Sequence, residues 1–198
     1  MLGQGHAQRV VVADLNGLKS HLDGLTSAQA VTWGVTKQEA VAVCTQGNAE
    51  AQQAGAIART RENFQFMAAP GVMMLDHDGL PDGELSALQF RDRLIAAAPA
   101  LADAPMLWRP SASAGCVGPD GSVLSGLTRH RLYIPVADAS LIPEAGKALE
   151  AFLWATPGGG WCDVGAAGQR LPRCLVDGSV WQPERLDFAG PSVLADGV

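Results

Sequence analysis

A chain of 198 residues with 14 Lys and Arg against 20 Asp and Glu carries a net charge of −6, which excludes a protein that coats duplex nucleic acid by charge alone. Its 47% hydrophobic and 17% charged residues suit a soluble globular protein of one domain, or of two small lobes sharing a core. No apolar run approaches the roughly 18 residues of a membrane span, and Met1-Leu2-Gly3-Gln4-Gly5-His6 lacks the positive-then-apolar order of a signal peptide. In chain order, residues 17–31 and 48–56 read as weak helices rich in Ala and Gln. Ala56–Arg59 and Asn63–Met67 alternate as strands do. Val72-Met73-Met74-Leu75, bounded by Gly71 before and Gly79 and Pro81 after, predicts a buried strand. Residues 84–98 predict a helix with Leu85, Leu88, Leu94 and Ile95 on one side. Met106–Arg109 is a short strand, and Gly118-Pro119-Asp120-Gly121 turns a hairpin between Cys116-Val117 and Ser122–Leu124. His130–Val136 alternates as a strand, and Pro143 opens a helix that Gly158–Gly160 stops after about Thr156. Strands around Trp161–Val164 and Arg170–Val176 flank the turn Ala166–Gln169. This order predicts an α+β domain with largely antiparallel sheets rather than a doubly wound parallel one.

The strand of residues 72–75 runs into Asp76-His77-Asp78-Gly79. Alternate strand residues share a face, so Asp76 and Asp78 point the same way and repel unless a positive group lies between them. A hard divalent cation with oxygen ligands, Mg²⁺ or Mn²⁺, is the usual answer; a solvated turn is the competing one. Eleven of the fourteen cations are Arg, and eight of these follow the Asp pair, so an Arg-lined, phosphate-binding cleft on an acidic body is compatible with the charge. The four cysteines, Cys44, Cys116, Cys162 and Cys174, form no Cys-x-x-Cys pair, which argues against zinc and reads as free thiols of a reducing cytoplasm.

Three further features bear on the Asp pair. The small-residue loop Arg109-Pro110-Ser111-Ala112-Ser113-Ala114-Gly115 lets backbone approach a phosphate, or it is simply a turn. His130 stands between Arg129 and Arg131 at a strand start, with the two Arg on one face and the His on the other, either as a phosphate donor or as a satisfied core residue. Tyr133, the only tyrosine, falls opposite His130 by strand parity and reads as core first and as a sugar or base contact second. Asp177 follows the apolar Leu175-Val176, a third acid at a strand end, or the first residue of an Asp-Gly turn.

The order apolar-Asp-x-Asp-Gly, a Ser/Gly loop leading to a His strand, then apolar-Asp resembles the archaeo-eukaryotic primase superfamily. Within it, the chain is similar to the primase-polymerase domains of bacterial, phage and plasmid replication proteins. Supporting text lies in Ala58–Phe66, in Trp108-Arg109-Pro110-Ser111 and in Pro183-Glu184-Arg185-Leu186-Asp187-Phe188. The likeness spans about residues 57–190; residues 1–56 match loosely. It implies an RRM-like catalytic core of mixed or antiparallel sheets, flanked by helices around a central cleft. It implies a single catalytic domain over 1–198, with 1–56 as its N-terminal part, at the front of a longer replication protein that carries a helicase. Asp76, Asp78 and Asp177 would be catalytic and hold two divalent ions. His130, with Ser113, Gly115, Ser125, Arg129 and Arg131, would bind the nucleotide. The spacing departs from the family: Ser113 lies 17 residues before His130, with the Gly118–Gly121 turn inserted, and Ser125 lies five before it.

The activity so implied is template-dependent nucleotidyl transfer in the cytoplasm. On a single-stranded DNA template, the 3′-hydroxyl of a primer or initiating nucleotide attacks the α-phosphorus of a nucleoside triphosphate, with one metal ion lowering the pKa of the hydroxyl and a second neutralising the leaving pyrophosphate. Trp108, Trp161 and Trp181 are candidate stacking residues for template. The alternatives are a metal-dependent nuclease or phosphohydrolase using the same acids, and a non-catalytic replication-initiator module. Should Asp177 be only a turn residue, Asp187 or Asp163 would remain as the third acid.

Overall fold

The strand that carries the Asp pair, β5 (Gly71–His77), is paired antiparallel along its whole length with β7 (His130–Val136), whose other edge pairs with β6 (Leu107–Pro110) in a sheet ordered β5-β7-β6. The preceding strands are β1 (Gln4–Gln8), β2 (Val31–Thr32), β3 (Ala40–Cys44) and β4 (Ile57–Ala58). This computed structural model describes residues 3–81, 83–112, 114–124 and 126–191. The helices are α1 (Leu15–Asp23), α2 (Ala49–Gln53), α3 (Ala87–Ala97) and α4 (Ile142–Trp154), and the remaining strands are β8 (Gly160–Val164), β9 (Arg170–Cys174) and β10 (Leu186–Asp187). A second three-stranded sheet is β1-β3-β4, and two-stranded sheets are β8-β9 and β10-β2; among the described residues every strand pairing is antiparallel except β3 with β4. The expected α+β class with largely antiparallel sheets is what the chain forms.

Strand parity divides the central sheet into two chemically different faces. One carries Met73, Leu75 and His77 from β5 beside Ile134, Leu132 and His130 from β7. All six side chains are buried, and α3 covers this face with the Phe90 ring stacked on His77 at 5.0 Å and on His130 at 6.1 Å. Each large apolar side chain removed from water here contributes about 1.5–3 kcal/mol. The second face carries Met74, Tyr133 and Leu107 in one row and Asp76, Arg131 and Arg109 in the next. Trp33, next to β2, leans on Tyr133 with ring centroids 5.2 Å apart.

Helix α3 starts later than its apolar spacing predicts, because Ser86 closes a capping box with Gln89. The buried pair is then Phe90 and Leu94, one turn apart; Leu85 is buried ahead of the helix, while Leu88 is 70% exposed. The expected helix over 17–31 occupies only its first part and ends at Gly24. The expected strand over 63–67 reduces to a single bridge, Val35 with Gln65. The hairpin after β6 closes where predicted, with the Gly118 amide donating to the Ser122 carbonyl at 2.7 Å and the Leu124 amide to that of Cys116 at 2.9 Å. Pro143 stands in the first turn of α4, as predicted. No helix among the described residues is long and apolar enough to cross a membrane.

Candidate active site

Three segments far apart in sequence meet at one end of the central sheet. The pairing of β5 with β7 sets Asp76 opposite Arg131 and His77 opposite His130. The stretch after β9 runs alongside the end of β5. There the Asp177 amide donates to the Asp76 carbonyl at 2.8 Å, and His77 Nδ1 donates to the Leu175 carbonyl at 2.8 Å. β6 ends and β7 begins at this same end, and between them Gly115 is held at a φ of 70° with its amide bonded to the Gly126 carbonyl at 3.1 Å.

Asp76 is largely buried, and its carboxylate Oδ1 receives Arg131 Nε at 3.4 Å. Burial pushes its pKa up to about 6; Arg131 works against the rise, while the negative charges of Asp78 and Asp187 add to it. Asp78 lies one residue beyond the strand, exposed, on the face that parity gives to Asp76. The Arg131 guanidinium makes its shorter bonds elsewhere. Its Nη1 donates to Asp187 Oδ1 at 2.7 Å and to the Phe188 carbonyl at 3.0 Å. Asp187 Oδ2 accepts from the Tyr133 hydroxyl at 3.0 Å. Arg109, beside Arg131 on the next strand, pairs with Asp23 at the end of α1 and reaches the Ala189 carbonyl at 3.4 Å. Two neighbouring arginines thus bind successive residues of the segment 187–189 across the polar face.

The other expected site residues are engaged in different ways. His130 is 1% exposed on the opposite face: its Nε2 donates to the Leu85 carbonyl at 2.6 Å, and its Nδ1 accepts from Trp108 Nε1 at 3.2 Å. Both ring nitrogens are used inside the protein, so no donor is offered to a phosphate in this arrangement. The reason is parity: a His that follows one Arg and precedes another must face away from both, and here the Arg face is the one that carries Asp76. Asp177 caps the single helical turn Gly178–Trp181, accepting from the Ser179 amide at 2.9 Å and the Ser179 hydroxyl at 2.6 Å. It lies against the Asp76 backbone, with its carboxylate committed to the turn. Arg131 is an ion-pair partner of acids rather than an open cation, and Arg129 is exposed at the entry to β7. Ser113 and Ser125 lie outside the described residues. Asp187, which the sequence offered only as a reserve acid, is instead the most deeply buried carboxylate of this face; its signal was the apolar flank of Leu186 and Phe188.

Among the described residues no three His, Cys, Asp or Glu side chains gather as a metal cage. Mg²⁺ does not require one, because it is commonly held by one or two carboxylates with water and substrate phosphates completing its shell. Asp76 and Asp78 fit that pattern: both are hard oxygen donors on one face, and the charge of Asp78, which adds to the burial that raises the Asp76 pKa, is what a cation would neutralise. No protein-family model matches this chain, and neither a curated protein nor a solved structure matches it.

Proposed function

We propose that this chain is a template-dependent nucleotidyltransferase of the primase-polymerase type, with the archaeo-eukaryotic primase fold, acting on single-stranded DNA and nucleoside triphosphates. The observation that supports this reading best is the meeting of the Asp76-x-Asp78 strand end with the Asp177 segment, through the 2.8 Å bond from the Asp177 amide to the Asp76 carbonyl, beside the start of β7. Those are the three stretches that carry the resemblance, and they are about 50 residues apart in sequence. Asp76 and Asp78 would hold Mg²⁺ or Mn²⁺, which when bound would neutralise phosphate charge and favour ionisation of the attacking hydroxyl. The chain's own part is to keep that carboxylate pair at the end of a strand paired along its whole length with β7. Arg129 and the Gly115 loop would meet the triphosphate at the same end. His130 would act indirectly, by packing under the strand end.

The test is incubation with a single-stranded template, labelled nucleotides and Mn²⁺, with Asp76→Ala as the blank. Template-dependent products lost in the variant support the proposal. Shortened template would replace it with a nuclease. A second reading, a non-catalytic DNA-binding module, is favoured by the engagement of Asp177 with Ser179 and of His130 with Leu85 and Trp108. A shifted but unmodified template would establish that one.

A further inference from the structure

The polar face of the sheet holds one guanidinium between two carboxylates, and it is not shared evenly. Arg131 Nη1 lies 2.7 Å from Asp187 Oδ1, whereas Arg131 Nε lies 3.4 Å from Asp76 Oδ1. The short bond is locked from three sides. The same Nη1 is tied to the Phe188 carbonyl at 3.0 Å, Asp187 is held through its other oxygen by the Tyr133 hydroxyl at 3.0 Å, and Asp187 sits in β10, paired to β2. The side chains are closed off from water, with 1% exposure for Asp187 and 11% for Arg131. Among the described residues, the long contact to Arg131 is the only side-chain hydrogen bond that Asp76 makes. A guanidinium left to itself would close on a neighbouring carboxylate with both arms of its fork. Here the fork is split: Nη1 makes the short bond to Asp187 and a second to Phe188, and only Nε reaches Asp76, at the longer distance.

We propose that Asp187 is a positioning residue for Asp76: by engaging Arg131 it holds the guanidinium back from the Asp76 carboxylate and neutralises it, which leaves Asp76 able to share a divalent cation with Asp78. The proposal rests on the reading of Asp76 and Asp78 as cation ligands. It gives a task to the stretch Pro183–Phe188, which the sequence singled out and the proposed chemistry does not otherwise use. It also predicts an uncommon pattern: removing an acid that touches no cation weakens cation binding, and removing the arginine as well restores it. Without Asp187, Arg131 collapses on Asp76 and competes with the cation. Without both, no competitor remains.

The experiment is titration of metal-free protein with Mn²⁺, read as free Mn²⁺ by electron paramagnetic resonance, with thermal melting in EDTA as the check of folding. The unaltered protein binds Mn²⁺, and Asp76→Ala does not. Asp187→Asn is expected to weaken binding at least tenfold, and the double variant Asp187→Asn with Arg131→Met to return to within about threefold of the unaltered protein. Wild-type affinity in a folded Asp187→Asn variant would overturn the proposal and leave the cation reading standing. Absence of Mn²⁺ binding by the unaltered protein, or binding unchanged by Asp76→Ala, would overturn the cation reading and the proposal together. A double variant as weak as the single would make Asp187 a merely structural residue. If Asp187→Asn does not fold, the double variant decides alone, and an affinity more than tenfold below the unaltered protein overturns the proposal.

Discussion

Two histidines stand side by side in the core with opposite tautomers, and the hydrogen bonds dictate which is which. A carbonyl only accepts, so His77 must carry its proton on Nδ1 to bond Leu175, and His130 must carry its own on Nε2 to bond Leu85. Trp108 Nε1 only donates, which independently requires the His130 Nδ1 to be unprotonated. His77 Nε2 is buried without a partner among the described residues. Protonating it would place a charge in apolar surroundings, and burial accordingly lowers the His77 pKa. Nitrogen-15 imidazole spectra should show His77 neutral as the Nδ1–H form and His130 as the Nε2–H form at pH 7; the reverse assignment for either would contradict the packing. His77 stabilises the fold above its unfolded value of about 6.5, and that contribution is lost as the pH falls below it. Asp76 has the opposite sign. Its folded pKa of about 6 lies above the unfolded 3.8, so the folded state is favoured below 3.8 and loses that advantage as the pH rises through about 6. Asp76→Asn, which mimics the protonated acid, should therefore melt higher than the unaltered protein at pH 8, by an amount on the order of 1–3 kcal/mol. The difference should shrink towards pH 4. A variant that melts lower at pH 8 would show that the Arg131 contact outweighs the burial.

At the level of elements, the sequence was most legible where one face alternates with another. The bounds of β7 were read from its alternation alone, and β5 from an apolar run between Gly71 and Gly79. β1 was not legible, because Gln4-Gly5-His6-Ala7-Gln8 has no apolar face; its strand state comes from pairing with Ala40–Cys44. The start of α3 was misread because its apolar spacing runs back through Leu85, while the Ser86 and Gln89 capping box fixes the first turn. Helix α4 carries a feature that periodicity hides. Gly146 faces the ring of Trp181, and a Cβ there would fall within the ring atoms. Trp181 in turn donates its Nε1 proton to the Met74 carbonyl of β5 at 3.1 Å, so the glycine allows the helix to approach the sheet through an indole. By helix propensity alone, Gly146→Ala should stabilise by about 1 kcal/mol. Overpacking costs about 1–3 kcal/mol, and a displaced indole strands its N–H as well. The net expectation is a loss of about 1–3 kcal/mol in urea unfolding at an unchanged m-value. A stabilised variant would mean that α4 does not rest on Trp181.

Over the whole molecule, the candidate site was legible as residue types and illegible as partnerships. Asp76, Asp78 and the Arg-flanked strand could be read because strand parity fixes their faces. The turn formed by Asp177 with Ser179 is one of the two readings its sequence offers, whereas the engagement of Asp187 with Arg131 and Tyr133 depends on pairings across 56 and 54 positions that no local period encodes. The same applies to how the N-terminal sheet is fastened. Polar ties from the residues just after β4 reach the segment before β10: Arg59 Nη1 to the Glu184 carbonyl at 2.8 Å, and Arg61 Nε to Glu184 at 3.2 Å. Arg61 is exposed, so its ion pair contributes little in water. The Arg59 bond is half-buried and charge-assisted, worth roughly 1.5–3 kcal/mol. A unit fastened this way should open before the central sheet does. Arg59→Met keeps the apolar stem and removes the donor. It should speed amide hydrogen exchange in β3 by about 10- to 150-fold, the factor to which that bond energy converts, while exchange in β5 and β7 stays unchanged. Equal acceleration in β5 and β7 would show instead that the N-terminal sheet and the central sheet unfold as one unit, with Arg59 contributing to global stability rather than to the joint between them.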